Sequence, residues 1–220
     1  MRVLLTTALL ILAAQAWAAT ISGQVDLFAD GKPLRADQAR DAIVYFRPKA
    51  PLRHIPITPV QVMSTRDKQF VPSVIATTVG SKIRFPNEDP ILHNAFSTSK
   101  YNAFDAGLYG EGDGETETFS HVGYVRVYCN VHHSMIGHIL VLDTPFFTRP
   151  DSHGHFSLDD VPPGKGDLVI WYERAAPWHS EISAGSAPRI SVRLDLNRRR
   201  VPRHMNKFGK PYRGNGNGGY

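Results

Sequence analysis

The sequence predicts an all-β protein, and three observations predict it. Short runs of β-branched and aromatic residues recur along the chain, and Gly, Pro, Asn and Asp interrupt them at close intervals. No window sustains a helical period. The spacing suits a β-sandwich, and 220 residues leave room for one large β domain or two small ones, each with its own core.

The elements follow in order. Met1-Arg2, the apolar-to-small run Val3 to Ala14 and the small-x-small pattern Ala16-Trp17-Ala18 read as a cleavable signal peptide over 1–18. The run is short for a membrane span, and no other segment approaches the roughly 20 apolar residues that a spanning helix needs. An exported, soluble chain is therefore expected. Strands are predicted at Ile21 to Leu27, Ala42 to Phe46, Val74 to Val79, Lys82 to Phe85, Tyr124 to Cys129, Ile139 to Leu142 and Asp167 to Tyr172, with one helical turn at Ala36 to Asp41. Asp30-Gly31, Gly80-Ser81, Asn87-Glu88-Asp89-Pro90, the Gly-rich stretch Gly110 to Gly114 and Pro162-Pro163-Gly164 supply the turns.

The formal charge of +5 is unevenly placed. From Asn197 onward there are seven basic residues (Arg198, Arg199, Arg200, Arg203, Lys207, Lys210, Arg213) and no acid; without these and Arg2 the balance is −3. The body is mildly acidic. The tail, 197–220, has too few apolar residues to offset its ordering entropy and reads as disordered. It could steer an acidic partner or touch an anionic surface. Nucleic acid is not an expected partner of an exported chain.

Cys129 is the single cysteine, so no intramolecular disulfide can form. It stands in "VRVYCNVHHSM", which places Cys129, His132 and Met135 at C-x2-H-x2-M spacing after an alternating strand. Period-two geometry sends Val125, Val127 and Cys129 to one face, and Tyr124, Arg126 and Tyr128 to the other. The thiol then points into the core, and the turn over Asn130 and Val131 can return the His132 imidazole to it. Two imidazoles and a thiolate with a weak axial Met are the ligands of electron-transfer copper. The second imidazole is sought on a separate loop, and "RFPNEDPILHNAFS" offers His93.

The stretch from about Gln69 to Leu142 resembles a cupredoxin, with "FVPSVIATTVGSKIRFPNEDPILHNAF", a Gly-rich loop and "TFSHVGYVRVYCNVHHSMIGHILV". It is nearest in type to plastocyanins and amicyanins. The resemblance implies a Greek-key β-sandwich over 56–143 holding one type 1 (blue) copper on His93, Cys129, His132 and Met135. It also implies that Asn94 ties the two ligand loops together. His133 departs from the pattern, since related loops often carry Pro there. "ISGQVDLFADGKPL" with "DAIVYF", and later "TRPDSHGHFSLDDVPPGKGDLVIWYE", resemble the two halves of a smaller carboxypeptidase-regulatory-like (transthyretin-type) sandwich, split into 19–55 and 144–196. Insertion at a surface turn is physically cheap. The whole is similar to exported methylamine-utilisation-type proteins. The function so implied is that of a periplasmic electron carrier rather than an enzyme, trading single electrons with redox proteins such as a cytochrome or dehydrogenase. Copper storage or delivery, and a non-redox interaction module, are the alternatives.

Rival chemistries fit the residues less well. Structural zinc commonly takes two or more thiolates, and c-type haem attachment needs two cysteines. Multi-copper oxidases use repeated His-x-His pairs; His153-Gly154-His155 alone has that form and reads as exposed turn residues. His54, His121, His138, His179 and His204 share no spacing and read as surface or structurally satisfied histidines. Phe85 and Phe96 are expected beside the Cys129 sulfur, and Ile91, Leu92, Leu108, Ile136 and His133 around the His132 edge. Trp171, Tyr172 and Trp178 could form an aromatic contact surface, with Trp171 more readily placed in the core.

Overall fold

The structure, a computed structural model, describes residues 18–197 and 206–210. The expected signal peptide, apart from Ala18, and most of the expected tail lie outside the described residues. No described helix is long and apolar enough to cross a membrane. The fold is all-β, as expected: four sheets, with one short 3-10 helix at Ala36–Asp41.

Two sheets draw their strands from both ends of the described chain. In one, Ala19–Ala29 lies between His155–Val161, antiparallel, and Ile190–Asp195, parallel. The other runs Phe147–Thr148, Ile43–Pro48, Gly164–Trp171, Trp178–Ala184. Alternation builds the shared core, since Ile21, Val25 and Leu27 face inward and meet Phe46, Leu158, Leu168, Ile170 and Val192. Asp30 and Gly31 both take positive φ, 50° and 75°, and Ala29 pairs with Lys32, which makes the tight hairpin that Asp-Gly favours.

The other two sheets come from 61–142. A five-stranded sheet runs Phe104–Tyr109, His93–Ser97, Gly123–Tyr128, Ile136–Leu142, Val74–Thr78. Facing it are Gly112–Phe119, Ser81–Asn87, Ser64–Arg66 and Gln69–Val71, with Gln61–Val62 at the side of Ser81–Asn87. Their core holds Met63, Ile75, Ile83, Phe85, Phe119, Val125, Val127 and Ile139.

Several strands were not predicted. Gly110 to Gly114, expected to be a turn throughout, already belongs to the Gly112–Phe119 strand in its second half. Antiparallel pairing with Ser81–Asn87 imposes the strand despite the glycines, and a register shift between Gly112 and Glu115 absorbs the mismatch. Gly114 sits in that bulge at φ 64°, and a Cβ there would lie 1.8 Å from the Phe85 carbonyl oxygen, so no other residue fits.

The two pairs of sheets meet along a third apolar cluster. Ile43 joins Val74, Ala76, Leu140 and Leu142, with Tyr45, Phe147 and Trp171 packed around them. Each fully buried side chain of this size stabilises the joint by about 1.5–3 kcal/mol. Polar contacts flank it: Arg149 donates to the carbonyls of Arg40 and Val74. His138 lies 2.6 Å from Glu173 through Nε2 and 2.5 Å from the Tyr124 hydroxyl through Nδ1. His138 is thus a satisfied structural histidine, and Trp171 is part of the joint.

Candidate metal centre

Cys129 follows directly on the Gly123–Tyr128 strand, and period two carries its side chain to the core face with Val125 and Val127. All three are fully buried. His93 opens the His93–Ser97 strand, which pairs with Gly123–Tyr128 through Phe96 and Tyr128. His93 and Ala95 share the core face, and Ala95 packs in the same cluster as Cys129. His132 comes from the turn between Tyr128 and Ile136, where its amide N–H points at the Cys129 sulfur (3.5 Å) and its carbonyl accepts from Met135 (3.1 Å).

The three side chains converge. Cys129 Sγ lies 3.8 Å from His93 Nδ1 and 4.0 Å from His132 Nδ1, and the two Nδ1 atoms are 3.2 Å apart. A point equidistant from all three atoms is about 2.1 Å from each, close to the 2.0–2.3 Å bonds that first-row metals such as zinc make to imidazole and thiolate. Met135 is buried in the same core cluster as Cys129 and closes the turn. His133 is exposed and outside this group, and among the described residues His93, Cys129 and His132 are the group of His, Cys, Asp or Glu side chains close enough to share an ion.

The protonation pattern suits a cation. His93 Nε2 is 2.8 Å from Asp89 Oδ2, an arrangement in which an N–H on Nε2 donates to the carboxylate and leaves Nδ1, the atom facing Cys129 and His132, to bind a cation. Burial, with the neighbouring His93 adding, holds His132 below its ordinary pKa. The two Nδ1 atoms, 3.2 Å apart, are close enough to share one proton or one bound cation.

Neighbouring groups fix the loops. Asn94 Oδ1 accepts from the Asn130 amide (3.3 Å), and its Nδ2 donates to Asp105 Oδ1 (2.8 Å) and the Gly107 carbonyl (2.6 Å). The described part of the tail, 206–210, also reaches this loop. The Lys207 amide donates to Asn130 Oδ1 (3.3 Å), and its Nζ pairs with Asp105 Oδ2 at 2.7 Å.

Phe85 lines the Cys129 core, as expected, with Phe104 stacked on it at 5.2 Å. Phe96 does not: strand alternation puts it on the face away from Ala95, where its ring lies 5.8 Å from Tyr128. Ile91, Leu92 and Leu108 are exposed, and a shallow depression beside His132 is lined by Lys68, Pro90, Ile91, Leu92 and Val131. Sequence reasoning missed Val131 there, and it missed Asp89 altogether. The signal for Asp89 was the Asn-Glu-Asp-Pro turn four residues before His93. His153 lies in an exposed turn and His155 opens the strand that follows, and the amides of both donate to Asp151 Oδ1.

No protein-family model matches the chain, and no curated protein does. Among solved structures it is similar to a mutant of amicyanin in its reduced state (15% identity, 42% of this chain and 97% of that one, TM-score 0.36). It is also similar to a purple cupredoxin from Nitrosopumilus maritimus (20% identity, 39% and 100%, TM-score 0.33). A third is the copper-containing nitrite reductase of Thermus scotoductus SA-01 (22% identity, 53% and 28%, TM-score 0.37). These likenesses are remote and partial, and the functional reading rests on the chain's own residues.

Proposed function

We propose that this chain is an exported type 1 copper protein that carries single electrons, with His93, Cys129 and His132 as the strong ligands and Met135 as the weak axial one. The observation that carries the reading is the convergence of one thiol sulfur and two Nδ1 atoms, 3.2–4.0 Å apart, with Cys129 and His93 fully buried. One thiolate with two imidazoles and a thioether suits copper better than a closed zinc site. When bound, copper would supply a one-electron couple between Cu(I) and Cu(II).

The chain's own residues would do the rest. The strands behind Cys129 and His93 hold the donors in one geometry, which keeps reorganisation small when charge changes. Val125, Val127 and Phe85 exclude water from the sulfur. His132 is half-buried, and its edge meets the exposed apolar side chains Ile91, Leu92 and Val131, a surface on which a redox partner such as a cytochrome or dehydrogenase would dock. We place the protein in the periplasm, released from a signal peptide at 1–18. The electron-transfer domain spans 56–143, within a regulatory-like sandwich made of 19–55 and 144–196. The basic tail, 197–220, would contact an anionic surface.

Loading the purified chain with Cu(II) tests this. An intense visible charge-transfer band with narrow copper hyperfine splitting in the electron paramagnetic resonance spectrum is expected, and Cys129→Ser abolishes both. A colourless protein that holds Cu(I) without cycling would indicate storage or delivery, and an intact fold that takes up no copper would leave only an interaction module.

A further inference from the structure

Asp89 is a shielded carboxylate in the bend that precedes His93, at a place where nothing in the sequence motif calls for one. It is 8% exposed, beside a His93 that is 0% exposed. Its Oδ1 accepts from the Asp67 amide (2.8 Å), and its Oδ2 accepts from the Lys68 amide (3.0 Å) and faces His93 Nε2 (2.8 Å). The two amides are N–H donors and His93 Nε2 can serve as a third, so both oxygens of the carboxylate are placed to accept. Its own amide donates to Asn87 Oδ1 (2.9 Å), which the Thr65 hydroxyl also meets (2.8 Å). Thr65 and Asn87 are themselves buried, so a chain of hydrogen bonds fixes Asp89 before it fixes His93.

An imidazole whose far nitrogen donates to a carboxylate is a stronger electron donor at its near nitrogen. The ring is also held in one tautomer and one orientation. His132 differs: it is partly exposed, and among the described residues its ring meets Cys129 and His93 but no carboxylate. The two imidazoles of the centre are therefore unequal, one backed by a buried negative charge and one facing solvent.

We infer that Asp89 is a positioning residue that charges the His93 imidazole from behind, strengthens its bond to copper and favours the oxidised ion over the reduced one. This rests on the copper reading above. Asp89 touches no metal; it acts through His93.

The test uses the full chain loaded with copper and reads the reduction potential. Asp89→Asn keeps an oxygen to accept the Nε2–H but removes the charge. It is expected to shift the equilibrium with a reference one-electron couple about tenfold toward the reduced form, about 59 mV for a one-electron change. Glu88→Gln is the control, because Glu88 is next in the chain but faces Arg66 (2.6 Å) at the surface. It is expected to shift the equilibrium less than about twofold, as a screened surface charge should. An unchanged potential in Asp89→Asn, or an equal rise in Glu88→Gln, overturns the assignment.

Asp89→Asn also strips an acceptor from a backbone amide and could unseat the loop. The unsubstituted protein is therefore examined in parallel by nitrogen and proton magnetic resonance of its Cu(I) form. The expected result is metal on His93 Nδ1 with a slowly exchanging proton on Nε2. Metal on Nε2, or a rapidly exchanging proton there, overturns the inference without any variant. A natural protein that takes up no copper removes the copper reading and this inference together, whereas a blue protein with an unmoved potential in Asp89→Asn removes only the role of Asp89.

Discussion

The sheets formed by 19–48 and 147–195 and those formed by 61–142 are both closed on apolar cores, yet they differ in what else they bury. The core of the first set is apolar throughout, from Ile21 and Phe46 to Leu194. Of the buried polar side chains among the described residues, Ser64, Thr65, Thr77, Thr78, Ser81, Asn87, Asp89, His93, Asn94, Ser97 and His138 all belong to the second set, and Thr144 alone lies just beyond it. A buried polar group costs free energy unless it is partnered. The contrast separates a region whose interior is packed from apolar side chains from one whose interior also holds buried polar groups.

That contrast can be challenged by substitution, beginning with the apolar region. Phe46 is fully buried and its ring fills the space over Gly166. Phe46→Ala should cost about 3–5 kcal/mol in denaturant unfolding. If the two regions are as distinct as their cores, the copper spectrum of the folded variant stays unchanged. A spectrum altered as much as the stability would show that the outer core shapes the site.

At the joint, Glu173→Gln removes the charge that faces His138 and should cost about 1–2 kcal/mol at neutral pH, the partly exposed carboxylate being discounted for solvent. The hydrogen bond to His138 holds the Glu173 carboxyl below its ordinary pKa, against the opposing effect of burial. A depressed carboxylate contributes fully above its unfolded value, roughly 4.3, and that contribution fades as pH falls through the folded value. Urea titrations at pH 7 and pH 3 should therefore show the gap between natural and Glu173→Gln proteins closing at the acid end.

The smallest effect is expected at Tyr109, whose hydroxyl is buried with no hydrogen-bond partner among the described residues. Burial, with Cys129 adding, pushes its pKa well up. Tyr109→Phe relieves an unmet donor and should raise stability by up to about 1 kcal/mol, measured as the thermal midpoint of the copper-free protein. A loss of stability would mean that the hydroxyl has a partner after all.

How much of this was legible depended on whether a residue's neighbours in sequence were also its neighbours in space. Ile21 to Leu27 and Tyr124 to Tyr128 alternate cleanly and were read as strands. Gly112–Phe119 presents "GDGETETF", with Phe119 its one buried residue, and only pairing with Ser81–Asn87 makes it a strand. Cys129 and His132 were legible because three residues separate them across one turn, and His93 because a strand and a turn precede it. Phe96 was misplaced because proximity along the chain says nothing of which face a side chain takes until strand register is known. Asp89 was invisible for a different reason: its meaning lies in a bond to the rear of a ring whose own role had first to be found.

One feature of the topology bears on how the molecule meets mechanical force. Ala19–Ala29 and Ile190–Asp195, the first and last long strands among the described residues, lie side by side and parallel. A pull on the two ends slides one strand along the other, so their hydrogen bonds resist together rather than peeling singly. Ile43–Pro48 and Phe147–Thr148, through which the chain passes to and from the middle sheets, are likewise paired with each other. Tension is thus borne by the outer strands, and the tethered middle stays slack until that clasp gives way.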